Sequence, residues 1–262
     1  MAVEDPPVKR VRYVTPRPVL KILTNNLYRY DFIESFNVLV GQWPNRELFT
    51  GVDHDLITER SGFFRAARSA CWLKRNKATE LVDDDPYIFT AYLNCLYLGA
   101  DFLRKRHEEN TEGSTPAEDG KVNILDHETL DFLIDLYILA DKLLDPITAN
   151  IVIDELITFV SKMSWVPGAT TVNSVYNSTV DGSPLRRLCQ DWQLYECARD
   201  WALKDKAEWN LPLEFLQDLL VESGRLQVET PWKPIKKVFA QSTTTRAKVH
   251  YHRKVERKSE GA

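Results

Sequence analysis

His250 and His252 flank Tyr251 near the C-terminal end of the sequence, and this pair of imidazoles is its nearest approach to a metal-ligand motif. A zinc site needs four ligands, normally completed by cysteine or carboxylate. None stands at ligand spacing here, so the pair reads as part of a solvated tail. Cys71, Cys95, Cys189 and Cys197 show no CxxC spacing, and each lies in a stretch that reads as helix. They fit small buried hydrophobes of a reducing compartment better than bridges. The run Asp83 to Asp85 precedes Pro86, where a carboxylate caps a helix and meets the positive end of its dipole. Glycine-rich phosphate loops, GxSxG elbows and HExxH helices are all missing from the sequence. With no nucleophile beside a base, enzymatic chemistry has no residues to carry it. The expectation is a non-enzyme with no catalytic residue, cofactor or metal.

Binding chemistry has more to work with. Lys248, Arg253, Lys254, Arg257 and Lys258 are suited to phosphate contacts, and Lys9, Arg10 and Arg12 have the composition of a nuclear import signal. Phe63 and Phe64 are of the type that anchors partners, but their helical spacing with Leu56, Ile57 and Ala67 reads as core packing. The formal net charge of −4 is unevenly spread: residues 1–21 carry +3, residues 231–262 carry +7, and the middle carries −14. An acidic body between basic ends is poorly suited to holding nucleic acid over its folded surface.

These residues must be held by elements that the hydrophobic pattern outlines. At 262 residues, 44% hydrophobic and with seven tryptophans, the chain has the apolar surface to fold. Residues 1–18 hold four prolines among basic residues and read as a flexible arm. Residues 20–36 read as a short helix feeding a strand. FNVLVG from Phe36 and RELFTGV from Arg46, separated by Pro44 and Asn45, read as a β-hairpin. HDLITERSGFFRAARSACWL from His54 reads as two short helices interrupted at Gly62, and ATELV from Ala78 as a third strand.

Asp85-Pro86, Asp145-Pro146 and Ser183-Pro184 share a helix-start signature, a capping side chain before a proline that the first turn tolerates. The first opens a helix with Ile88, Tyr92, Cys95 and Gly99 on one face and Phe89, Leu93 and Leu96 on the other, a pattern wrapped by neighbours. Residues 104–120 are charged and rich in Gly, Ser, Thr and Pro, which suits a mobile insertion. Leu130, Leu133, Tyr137, Ala140 and Leu144, then Ala149, Val152, Ile153, Leu156 and Val160, predict a helical hairpin around Pro146. Further on, Leu185, Leu188, Trp192 and Tyr195 form one apolar stripe, and Phe215, Leu216, Leu219 and Leu220 another. From Thr230 the periodicity ends in a basic tail that reads as disordered.

The order of strand, strand, helix pair, strand, core helix, loop and helical hairpin resembles a BTB/POZ domain. FNVLVG, HDLITERSGFFRAARSACW, TELVDDDPYIFTAYLNCLYLGAD and LIDLYILADKLLDPITANIVIDEL carry the resemblance over roughly residues 35–163. VYNSTVDGSPLRRLCQDW from Val175 and LPLEFLQDLL from Leu211 look like the C-terminal extension of BTB proteins common in filamentous fungi. The sequence departs from the family at Asn37 and Asp53, where an aspartate and a histidine are usual, with His54 displaced by one and Gly51 inserted.

The resemblance implies an α+β fold, mainly helical with a small three-stranded sheet, followed by a helical extension. The expected divisions are an arm and lead-in at 1–34, the BTB/POZ domain at 35–163 with its insertion near 104–120, the extension at 164–230 and the tail at 231–262. It also implies a protein-interaction module that self-associates or recruits a partner protein of unspecified identity, in some relatives as an adaptor on a cullin-type ubiquitin-ligase scaffold. Leu20, Ile22, Leu23 and Leu27 offer apolar groups for a homodimer partner to cover. The alternative is a nuclear chromatin- or nucleic-acid-associated protein that dimerises through the BTB domain and contacts phosphates with its tail. Acidic residues and prolines near the start stand where a signal peptide has an apolar run, and no stretch of about 18 apolar residues follows. An intracellular protein of nucleus or cytoplasm is expected.

Overall fold

A computed structural model describes residues 10–13, 19–22, 28–31, 35–68, 78–112, 124–162, 167–196, 210–229 and 251–252. The architecture is α+β, mostly helical with a small mixed sheet of four strands. The chain divides into two compact units, one of residues 1–99 with 142–145 and one of 100–141 with 146–262.

In the first unit, β4 (Ser35–Val40) and β5 (Glu47–Asp53) form the expected antiparallel hairpin, and β6 (Thr79–Leu81) adds parallel to β4. Val38, Val40, Phe49, Val52 and Leu81 are buried, as the alternating pattern requires. The inserted Gly51 has a physical role. Phe36 pairs with Val52 and Val38 with Phe49, so β5 carries one residue more than β4 between these pairs. Gly51 sits in this bulge at φ 77°, a conformation glycine adopts without steric cost.

Two expectations for the N-terminal region are corrected. Within the segment read as a flexible arm, β1 (Arg10–Tyr13) pairs parallel with β5, giving the order β1-β5-β4-β6 where three strands were expected. Arg12 holds it there, donating to the Glu47 carboxylate and lying 5.8 Å from the centre of the Phe49 ring. Residues 20–36 do not form a short helix: β2 (Val19–Ile22) and β3 (Tyr28–Asp31) make a separate antiparallel pair.

Asp53 caps α1 (His54–Arg60), accepting from the Leu56 amide at 3.0 Å. Ser61 breaks the chain before α2 (Gly62–Arg68), and α3 (Pro86–Leu98) follows β6. Both faces of α3 are buried, as expected, and Asp85 caps it through the Tyr87 amide at 2.7 Å. Phe89 stands edge-on to Phe49 at 4.9 Å and stacks on Tyr92 at 6.0 Å. Residues 142–145 complete this unit. The Ser61 hydroxyl donates to the Leu143 carbonyl at 2.5 Å, and the Gly62 amide to that of Leu144 at 3.0 Å. Leu144 was expected in the helical stripe, but the helix has ended, and Leu144 stands exposed at φ 54° while Leu143 is buried instead.

The second unit begins with α4 (Ala100–Glu112), whose helix runs through the first part of the expected insertion loop; residues 113–120 lie outside the described residues. α5 (Ile124–Lys142) and α6 (Pro146–Lys162) bury Leu130, Leu133, Tyr137, Ala140, Ala149, Val152, Ile153, Leu156 and Val160, as the pattern predicts. The Arg106 guanidinium lies 4.0 Å from the centre of the Phe132 ring.

α7 (Ala169–Ser178), α8 (Pro184–Asp191) with a π-helical turn at Trp192–Glu196, and α9 (Leu213–Glu229) follow within this unit. Leu185, Leu188 and Trp192 are buried, and Tyr195 has no described side chain. Ser183 occupies the N-cap position of α8 but makes no side-chain cap bond; its hydroxyl lies 3.4 Å from that of Tyr137. On α9 only Phe215 of the expected apolar stripe is buried, whereas Leu216 and Leu220 are exposed. Gly224 lies inside this helix, where glycine costs about 1 kcal/mol relative to alanine, and nothing comes within 4 Å of where its side chain would begin. No helix among the described residues is long and apolar enough to cross a membrane.

Candidate functional site

The expected binding residues separate into structural ones and ones outside the described residues. Phe64 is buried and Phe63 half-buried, their rings edge-on at 5.2 Å. Leu20 and Ile22 belong to β2, while Leu23 and Leu27 lie outside the described residues. Arg10 is exposed on β1, Arg12 is bound to Glu47, and Lys9 is outside.

His250, Lys248, Arg253, Lys254, Arg257 and Lys258 are outside as well, but two residues of the tail are described and neither is freely solvated. Tyr251 is buried and donates to the Asp191 carboxylate, and His252 Nε2 lies 2.9 Å from Asp154 Oδ1. The tail reading is therefore corrected at this point. A stretch without apolar periodicity can still be tied down by one aromatic side chain that fills a cavity and bonds with its hydroxyl. Among the described residues no group of three His, Cys, Asp or Glu is placed to hold a metal ion.

Two buried polar groupings make frames. In the first unit Asp145 is fully buried, with the Tyr92 hydroxyl donating to it at 3.3 Å and Arg60 Nε at 3.4 Å. Burial, and then the Asp145 carboxylate, pushes the Tyr92 phenol well above its ordinary range. Burial likewise pushes the Cys95 thiol up to about 12, against the nearby Arg60 charge. A thiol held protonated is a packing group and no nucleophile. Cys189 is the same case, raised to about 12 by burial alone, and Cys71 and Cys197 lie outside the described residues.

In the second unit Arg186 is buried under three elements. It donates to the Tyr176 carbonyl at 2.8 Å, the Thr179 hydroxyl at 3.1 Å and Glu214 at 2.9 Å, and lies 4.4 Å from the Tyr176 ring centre. The Tyr176 hydroxyl in turn donates to Asp218 at 2.8 Å. This network joins the end of α7 to α8 and α9.

What the first unit presents outward is different in kind. The turn between β4 and β5 and the loop between β6 and α3 are held side by side. The Gly41 amide donates to the Leu81 carbonyl at 2.9 Å, and Gln42 Nε2 to Asp83 Oδ1 at 3.2 Å. A side chain at Gly41 would begin 3.1 Å from Pro86, so the two loops touch. From this double loop Trp43 stands 67% exposed and Tyr87 51% exposed, with Val82 also open to solvent. Asp83 and Asp85 are exposed beside them, and Lys142 bonds Asp84 at 2.8 Å.

Large aromatics on a surface cost solvation and are over-represented at the centres of protein interfaces. The sequence held a signal for this surface that the hydrophobic pattern passes over. Trp43 stands in the turn residues GQWPN, and Tyr87 follows a capping aspartate and a proline, both positions that a core does not reach. No family model, curated protein or solved structure matches this chain.

Proposed function

We propose that this chain is a protein-interaction adaptor built on a BTB/POZ-type unit, and that the Trp43–Tyr87 surface receives a partner protein. The single observation that carries the docking surface is the pair of hydrogen-bonded loops that leave Trp43, Val82 and Tyr87 exposed beside exposed carboxylates. Two strands, a helix pair, a third strand beside the first and a capped core helix, in that order, support the BTB-type reading. Four groups, the Cys95 and Cys189 thiols and the Tyr92 and Tyr176 phenols, have their neutral forms favoured, as suits packing roles.

A partner suited to this surface offers apolar pockets for the two rings and basic residues for Asp83 and Asp85. Quantitative affinity purification with the full chain and with Trp43→Ala/Tyr87→Ala tests it. Trp43→Ala alone keeps its thermal midpoint, because that ring lies 67% in solvent, and the double variant loses at least one partner by more than about tenfold. Identical partner profiles from both proteins remove the assignment of this surface.

A further inference from the structure

Two consecutive residues near the C-terminal end each meet a carboxylate of the second unit. The Tyr251 hydroxyl donates to Asp191, and His252 Nε2 lies 2.9 Å from Asp154 Oδ1. An ionised carboxylate only accepts, so Nε2 carries the proton in that bond. Asp191 is the last residue of α8 and Asp154 stands midway along α6, so the two acceptors come from different helices.

These walls are set by contacts that do not involve Tyr251 or His252. α6 is seated by the buried Val152, Ile153 and Leu156, and α8 by Leu185, Leu188 and the bonds of Arg186. Asp191 is thereby held only 8% exposed, and a buried carboxylate is costly unless donors meet it. A second feature marks the same place. Immediately after Asp191 the helix widens into the π-helical turn Trp192–Glu196, where Gln193 Nε2 donates to the Pro167 carbonyl at 2.8 Å. Such turns are frequent at functional sites. A buried acceptor beside a π-helical turn, filled by one aromatic side chain, has the anatomy of a peptide-binding site.

We propose that Asp191 and Asp154 form a socket for a peptide segment in which a tyrosine is followed by histidine, lysine or arginine, and that the chain's own Tyr251–His252 pair is its resident occupant. The two carboxylates divide the recognition. Asp191 reads the tyrosine hydroxyl, which phenylalanine lacks, and Asp154, with its side chain 41% exposed, reads the N–H or charge of the next residue. A tethered occupant acts at an effective concentration on the order of millimolar, so the chain keeps its own socket filled and a free segment enters by displacing it. All four residues belong to the second unit, and the socket does not rest on the adaptor reading.

The test uses full-length chains and a fluorescent peptide of residues 247–256, read by anisotropy. Tyr251→Ala vacates the socket, and this chain binds the peptide with a Kd of roughly tens of micromolar. The wild-type chain, already filled, binds it at least about tenfold more weakly. Against the vacated chain, a peptide carrying Tyr251→Phe loses at least about tenfold, and adding Asp154→Ala to the chain costs several-fold. Saturating peptide also returns the thermal midpoint of Tyr251→Ala towards that of wild type. If Tyr251→Ala does not fold, His252→Ala, which loses only the part-exposed bond, takes its place and binds the peptide more tightly than wild type does. An equally charged peptide carrying Tyr251→Ala that binds as well as the parent overturns the proposal, because charge alone then accounts for the attraction. So does equal affinity of the wild-type and vacated chains, or no binding at millimolar peptide.

Discussion

Cys95 and Cys189 tie burial to a measurable pH dependence. Each thiol has an ordinary value of 9.0 and is raised to about 12 in the folded chain. The unfolded state therefore releases these protons first, so stability is full below pH 9.0 and declines as pH rises towards about 12. Tyr92 and Tyr176, raised mainly by burial, add to the same alkaline decline. Urea unfolding across this range should show a decline that becomes shallower in Cys95→Ala/Cys189→Ala, and a parallel slope in both proteins contradicts the account. At this scale the sequence is legible where residue type decides the outcome, as at these cysteines or at the Asp85 cap. It is less so where a side chain has a choice of partners. Ser183 has the right type and position to cap α8 but makes no cap bond. Asp145, before its own proline, is buried with Tyr92 and Arg60, a distant pairing that no local pattern records.

Among the elements, helices and hairpin were readable because their periodicity is local: the α3 and α5–α6 faces and the β4–β5 turn are written within a dozen or so residues each. β1 was not, because its four residues stand among prolines and basic groups, and its partner strand begins only at Glu47. What selects the pairing is long-range, the Arg12–Glu47 ion pair and the contact of Arg12 with the Phe49 ring. Removing residues 1–18 strips β5 of that neighbour and should lower the stability of the first unit by about 2 kcal/mol, a few ladder hydrogen bonds at roughly 0.5–1.5 each. An unchanged urea midpoint would show that β1 contributes nothing to the sheet. α9 failed in the opposite way, its leucines reading as core although the buried side is set by Phe215 and by polar anchors at Glu214 and Asp218.

For the molecule as a whole, charge distribution and composition set the class, an acidic body with basic ends, and the structure adds that Tyr251 and His252 of the C-terminal stretch are engaged. Ending the chain after His250 removes Tyr251 from its buried place on Asp191 and His252 from Asp154. That truncation should lower thermal stability, by about 2 kcal/mol for one buried aromatic with its hydroxyl bond. If the melting curve does not move, the tyrosine contact is not part of the folded state's cohesion. Measuring the salt dependence of DNA affinity on the same truncated chain separates this anchoring role from phosphate binding, because only the second weakens steeply with salt.

The hydrogen bonds from Ser61 and Gly62 to Leu143 and Leu144 have a bearing on how the chain is made. The first unit is discontinuous in sequence, taking its final piece from residues 142–145. A ribosome that has delivered residue 99 has supplied every strand among the described residues and the core helix α3, yet Ser61 and the first turn of α2 still await their acceptors. Completion comes only after the excursion of residues 100–141 has emerged, so the natural minimal fragment ends beyond Asp145, and a cut at Gly99 leaves an unfinished joint.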